Sequence, residues 1–127
     1  MSVSILVVDD EENVLKSVNK LIKSKHPDYE LTLTNSPSKA LNKIKTGKFD
    51  LIITDLMMPG IDGLELIKKI RSEVPDLKIM MMTGFATMKT ALLAMREGAG
   101  KYISKPFTRD ELLSAVHEIL ADNQLEN

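Results

Sequence analysis

No cysteine occurs among the 127 residues, so disulfides, thiol catalysis and thiolate metal sites are excluded. That absence agrees with a reducing cytoplasm, the compartment we expect. Charge of one sign is also lacking. The 17 Lys and Arg residues are matched by 18 Asp and Glu, and a net charge of −1 offers no bulk attraction to nucleic acid or to an acidic membrane. No apolar run approaches the ~18 residues of a membrane span. Met1-Ser2-Val3-Ser4 lacks the basic stretch and apolar region of a secretion signal. Internal repeats and low-complexity tracts are missing too. What is present is 43% apolar and 28% charged residues, an ordinary globular balance, in a length that suits one core.

The apolar pattern switches repeatedly between short runs and helical spacing. Ile5-Leu6-Val7-Val8 reads as a buried strand, followed at once by Asp9-Asp10. Val14, Val18, Leu21 and Ile22 then mark an amphipathic helix. Leu31 to Thr34 reads as a second strand, and Ala40, Leu41 and Ile44 as a helix stopping at Gly47. Leu51 to Asp55 is a third strand, and Pro59-Gly60 with Asp62-Gly63 marks a loop. Leu64, Ile67 and Ile70 face one side of a third helix that must end before Pro75. Ile79 to Thr83 is a fourth strand, Met88 to Glu97 a fourth helix, and Tyr102-Ile103-Ser104 a fifth strand. Thr108 and Glu111 form a capping box for a fifth helix, whose apolar face is Leu112, Leu113, Val116 and Leu120. The polar stretch 122–127 reads as a tail or the start of a linker, leaving residues 1–121 as one domain.

Five strands alternating with five helices imply an α/β fold, a parallel sheet covered on both faces. The five-stranded, doubly wound, flavodoxin-like order 2-1-3-4-5 suits this length and is borrowed from known architectures of that size. In such a sheet ligands sit outside the carboxyl ends of the strands, where the order reverses. Asp9, Asp10, Asp55, Thr83 and Lys105 all fall at those ends. Three crowded carboxylates either raise a pKa or bind a cation, and hard oxygen ligands suit Mg²⁺ beside a phosphoryl group. Asp55 can then act as a carboxylate nucleophile forming an acyl phosphate. Lys105 supplies a point charge and Thr83 a hydroxyl for the phosphoryl oxygens.

The stretches Ile5-Leu-Val-Val-Asp-Asp-Glu11, Ile53-Thr-Asp-Leu-Met-Met-Pro-Gly-Ile-Asp-Gly63, Met82-Thr-Gly84 and Tyr102-Ile-Ser-Lys-Pro-Phe107 occur together, in order. Over residues 4–120 the chain thereby resembles bacterial response-regulator receiver domains. The resemblance implies a two-component signalling domain, not an enzyme with an external substrate, that catalyses only its own phosphorylation and dephosphorylation. Asp55 would take its phosphoryl group from a sensor histidine kinase or a phosphotransfer protein. Asp10, Asp55 and the Met57 backbone carbonyl would ligate Mg²⁺, with Asp9 acting through water. The Lys105-Pro106 bond would be cis. Thr83 and Tyr102 would form the switch, altering the surface of the fourth helix, fifth strand and fifth helix that meets an output domain or protein. The partners so implied include neither nucleic acid nor membrane for this chain, and leave room for a phosphorylation-dependent homodimer. The stretch Thr83-Gly-Phe-Ala-Thr-Met-Lys-Thr-Ala, with Met95-Arg-Glu-Gly-Ala99, is most similar to receivers attached to σ54-dependent transcription activators. No ATPase or DNA-binding module is recognisable, so the chain is either a free-standing receiver or a fragment of a longer regulator. Lys101, where many relatives carry an acid, and Gly98-Ala-Gly100 depart from the pattern.

Blander readings exist for each residue alone. Asp9-Asp10 could merely cap the first helix. Tyr102 could be an ordinary half-buried strand residue. Met80-Met81-Met82 reads as core filler, and His26 and His117 as isolated surface residues. On the fourth helix, ~100° per residue places Met88, Ala91, Leu92 and Met95 on one arc, expected to face the core. Leu93 falls outside it and reads as an ordinary exposed Leu or, alternatively, as part of a partner or dimer surface. The resemblance implies that the positions two after Asp55 and Thr83 influence water attack on the phosphoryl group. Met57 and Phe85 stand there, apolar and unable to hold a hydrolytic water by hydrogen bonding, so slow self-dephosphorylation is expected. Three rivals carry other chemistry: a phosphate-independent interaction module, a haloacid-dehalogenase-type phosphatase and a flavin-binding protein. The second wants an acid where Met57 stands, and the third a phosphate cradle that does not follow the first strand.

Overall fold

Alternation within the strands decides the architecture. In β1 (Ser4–Val8), Ile5 and Val7 join one buried cluster while Leu6 and Val8 join another, so both faces of the strand are covered. The same parity holds in β3 (Leu51–Asp55), where Leu51 and Ile53 oppose Ile52. In β4 (Lys78–Thr83), Met80 and Met82 oppose Ile79 and Met81. With β2 (Glu30–Thr34) and β5 (Lys101–Ser104), these strands form one five-stranded sheet, parallel throughout, in the order 2-1-3-4-5. The computed structural model describes residues 2–58, 61–84 and 88–125. The expected Pro59-Gly60 turn and Phe85 therefore lie outside the described residues.

Two helices cover one face of the sheet and three the other. On the first side, α1 (Glu12–Lys25) contributes Leu15, Val18 and Ile22, and α5 (Arg109–Leu125) contributes Leu112, Leu113, Ala115, Val116 and Ile119. On the second, α2 (Pro37–Thr46) contributes Ala40 and Ile44, α3 (Gly63–Glu73) contributes Leu66, Ile67 and Ile70, and α4 (Met88–Arg96) contributes only Ala94. Local chemistry sets the ends. The Ser36 hydroxyl accepts from the Lys39 N–H at 3.3 Å to open α2, and Asp62 accepts from Leu64 N–H at 2.9 Å to open α3. Thr108 and Glu111 bond reciprocally, at 2.9 and 3.1 Å, as a capping box.

Several expectations need correction. The buried arcs are wider than the sequence pattern allowed, taking in Leu15, Leu66, Ala115 and Ile119, while Val14, Leu21, Leu64 and Leu120 are only partly covered. A two-residue antiparallel ribbon, Met57–Met58 with Ile61–Asp62, occupies the stretch expected to be loop. Helix α4 is turned the other way. Met88, Leu92 and Met95 point to solvent, Ala94 is buried and Leu93 is half-buried. Periodicity marks an apolar face without saying where it points, and here the small Ala94 side chain is what the helix seats against the core beside Tyr102. His26 is half-buried and stacks on Tyr29, with ring centroids 4.2 Å apart, so it is not the solvated surface residue expected.

Candidate functional site at the strand ends

Strand parity also positions the charged residues. Continuing the alternation one residue past β1 and β5 places Asp9, Asp55 and Lys105 on the α1/α5 side of the sheet. Thr83 shares parity with Met81 on the other side, the side on which Tyr102 packs. Because β1 and β3 are neighbours, paired through Val8 and Thr54, the residues following them are brought together. The outcome is a compact ion cluster. Lys105 Nζ donates to Asp55 Oδ2 at 2.8 Å and lies 2.7 Å from Asp9 Oδ2. Asp9 is fully buried and Asp55 nearly so, while Asp10 is exposed.

Burial pushes the Asp9 carboxyl above its ordinary value; the Lys105 ammonium and the N–H of Glu11 oppose this without cancelling it. Burial is also the largest influence on Lys105 and pushes it down. Hydrogen bonds and charges from Asp55 and Asp9 together outweigh burial, so the ammonium is held above its ordinary value. Lys105 therefore stays cationic inside the cluster. The Lys105 backbone N–H donates to the Thr83 carbonyl at 2.8 Å, tying the end of β4 to the segment that carries the ammonium. The Lys105-Pro106 bond is cis, as the resemblance implied.

The acidic groups fit a hard divalent cation. One carboxylate oxygen each from Asp9, Asp10 and Asp55 lie within 4.8 Å of one another. Asp9 Oδ1 is occupied by the Glu11 N–H at 2.9 Å. Buried Asp9 Oδ2 is faced by the Lys105 ammonium at 2.7 Å, and no other donor among the described residues meets it. A buried acceptor left in that condition, among oxygen ligands only, suits Mg²⁺ better than a softer metal.

Of the residues singled out by sequence, Asp9, Asp10, Asp55 and Lys105 meet in this cluster. Thr83 is fully buried at the end of β4, and Tyr102 is half-buried against the core that holds Ile79, Met81 and Ala94. Asp9 also performs the blander task of engaging the backbone that enters α1. Sequence reasoning missed Glu11. Its carboxylate stands 3.9 Å from Lys105 Nζ, and its backbone N–H positions Asp9. The acidic run directly after the first strand was the available signal.

Residues 5–117 match the model of the response regulator receiver domain. The chain is 34% identical, over its whole length, to the response regulator MprA of Mycobacterium ulcerans, of which it covers 54%. It is 36% identical over 97% of its length to the DNA-binding transcriptional regulator NtrC of Azospirillum brasilense, covering 25% of that protein. This second relative is of the subtype that the resemblance to receivers of σ54-dependent activators anticipated. The chain thus spans about half or less of the length of these curated relatives. Among solved structures, the receiver domain protein (CheY-like) from Methanospirillum hungatei JF-1 superposes with a TM-score of 0.91, at 29% identity and 100% coverage of both chains.

Proposed function

Because the chain belongs to the response regulator receiver domain family, we propose that Asp55 accepts a phosphoryl group and that the modified site resets a protein-binding surface. The observation that carries this reading is one ammonium, Lys105 Nζ, held within 2.8 Å of two buried carboxylates that also sit beside Asp10. Such a site already holds a cation where negative charge would arrive.

The chemistry is an in-line displacement. A carboxylate oxygen of Asp55 attacks phosphorus, a P–O or P–N bond to the donor breaks, and the donor leaves with the electron pair. Phosphoryl transfer of this kind needs alignment and neutralised oxygens more than proton chemistry. The raised pKa of Lys105 keeps its charge in place for a phosphoryl oxygen. Asp10, Asp55 and the Met57 carbonyl would hold Mg²⁺, with Asp9 through water. When bound, that ion supplies charge neutralisation for the remaining phosphoryl oxygens.

Catalysis is confined to the chain's own phosphorylation and dephosphorylation, and the donor is a sensor histidine kinase or phosphotransfer protein. A groove of about 540 Å³ runs beside Lys105, lined by Glu11, Val14, Leu21, Pro106 and Phe107. Its apolar floor and charged rim are of the kind that receives a donor protein at the site. The dianion draws Thr83 inward, and the N–H of Lys105 bonded to the Thr83 carbonyl makes the two move together. Tyr102 then takes up the space, and the surface of α4, β5 and α5 changes for an output domain or protein, including a second copy of the chain in a phosphorylation-dependent homodimer. Residues 1–121 form the receiver, 122–127 a tail or the start of a linker, and the cytoplasm is the compartment. Apolar Met57 and Phe85 would make the acyl phosphate long-lived.

Intact mass after exposure to acetyl phosphate tests the reading. One phosphoryl group should appear only with Mg²⁺, and none in Asp55→Asn. Equal uptake by the variant, or uptake indifferent to Mg²⁺, contradicts it.

A further inference from the structure

Helix α4 carries an apolar stripe that the fold leaves uncovered. Met88, Leu92 and Met95 recur at i, i+4 and i+7 and therefore share one side of the helix. They are 77%, 62% and 46% exposed, and among the described residues they are the exposed large hydrophobics. Two of the three carry a thioether. The other methionines whose side chains are described are shielded: Met58 is 5% exposed, and Met80, Met81 and Met82 are fully buried. The chain has no cysteine to compete for an oxidant.

The geometry points to Met88 and Met95 as a paired oxidation site that sets how apolar the outer face of α4 is. The co-reactant is a peroxide. The thioether sulfur attacks the distal peroxide oxygen, the O–O bond breaks and an S–O bond forms. Sulfur loses two electrons, and hydrogen peroxide leaves as water. The product sulfoxide is polar and chiral where a flexible apolar side chain stood, and reductases that act on methionine sulfoxide reverse the change. Oxidation at both ends of the stripe leaves Leu92 as its single apolar member. Because both sulfurs lie outside the packed clusters, the change alters the surface without entering the core. Its consequence for an output partner rests on the receiver reading of the α4 surface; the site itself rests on exposure and chemistry alone.

The test is brief hydrogen peroxide treatment of the full chain, followed by tryptic digestion and fragment-ion sequencing. Sequencing separates Met88 from Met80 to Met82, which share its peptide. Met88 and Met95 should gain one oxygen at least tenfold faster than Met58, Met80, Met81 and Met82. Retention of the intact protein on a phenyl matrix should fall in step, recover with methionine sulfoxide reductase, and stay constant in a Met88→Leu, Met95→Leu variant. Uniform oxidation of core and stripe, or an equal loss of retention in the double variant, overturns the proposal. Acetyl phosphate labelling of the untreated samples reads the receiver assignment separately, since a failure there leaves the sulfoxide map unaffected.

Discussion

Helices α3 and α4 are successive in the chain and cover the same face of the sheet, yet they are held by opposite means. Helix α3 buries Leu66, Ile67 and Ile70 completely and begins at Gly63, where an added Cβ would lie 2.1 Å from the Leu56 carbonyl oxygen. Helix α4 buries only Ala94 and turns its larger apolar side chains outward. Its anchor is at the carboxyl end. There Arg71 of α3 donates to the carbonyls of Pro75, Leu77 and Gly98 at 2.5, 2.7 and 2.7 Å. Gly98 has φ +118°, and a Cβ there would meet Arg71 Nε at 2.8 Å. One helix is part of the core and the other is pinned beside it. An element so pinned gives up little buried area if it shifts, which is what the switching proposed for this surface would require.

Substitutions that exchange these two conditions should have effects of very different size. The largest is expected for Gly63→Ala, which drives a methyl into backbone and should cost about 4 kcal/mol or more in chemical denaturation; a stable, unperturbed variant would break the contrast at its start. Leu66→Ala removes a fully buried side chain and should cost about 2–5 kcal/mol by the same measurement. Arg71→Ala strips three carbonyls of a charged donor, for about 2 kcal/mol. Amide exchange should then accelerate in Leu93 to Glu97 more than in Leu66 to Ile70. Uniform acceleration would mean that Arg71 does not pin α4 in particular. Leu92→Ala should change stability by less than about 0.5 kcal/mol, and a loss comparable to that of Leu66→Ala would show that the stripe is packed in solution.

What could be read from sequence divides along the same line. Strand identity was legible from the short β-branched runs; the wound order was borrowed from known architectures, and only with that order did the strand ends bring Asp9, Asp55 and Lys105 together. The capping box at Thr108 and Glu111 was legible because it is local. The orientation of α4 was not. Its apolar arc is real but lies on the opposite side from the one expected, since periodicity has no sign and the decisive feature is the small Ala94 against the core. Arg71 was invisible as well: at the end of an amphipathic helix it reads as a solvated charge, and its acceptors come from separate segments. Burial of the guanidinium, which lowers its pKa, appears only in the folded chain. The ribbon at Met57–Met58 and Ile61–Asp62 is too short to leave a pattern.

Asp55 as the phosphoryl acceptor beside Lys105 is the claim on which the rest stands. Borohydride reduces an acyl phosphate at its carbonyl, so trapping the protein after acetyl phosphate and Mg²⁺ and sequencing the peptides locates the modified side chain directly. Homoserine is predicted at position 55 and at no other aspartate. Homoserine at position 9 or 10, or none at all in protein that has gained phosphate, would contradict the claim.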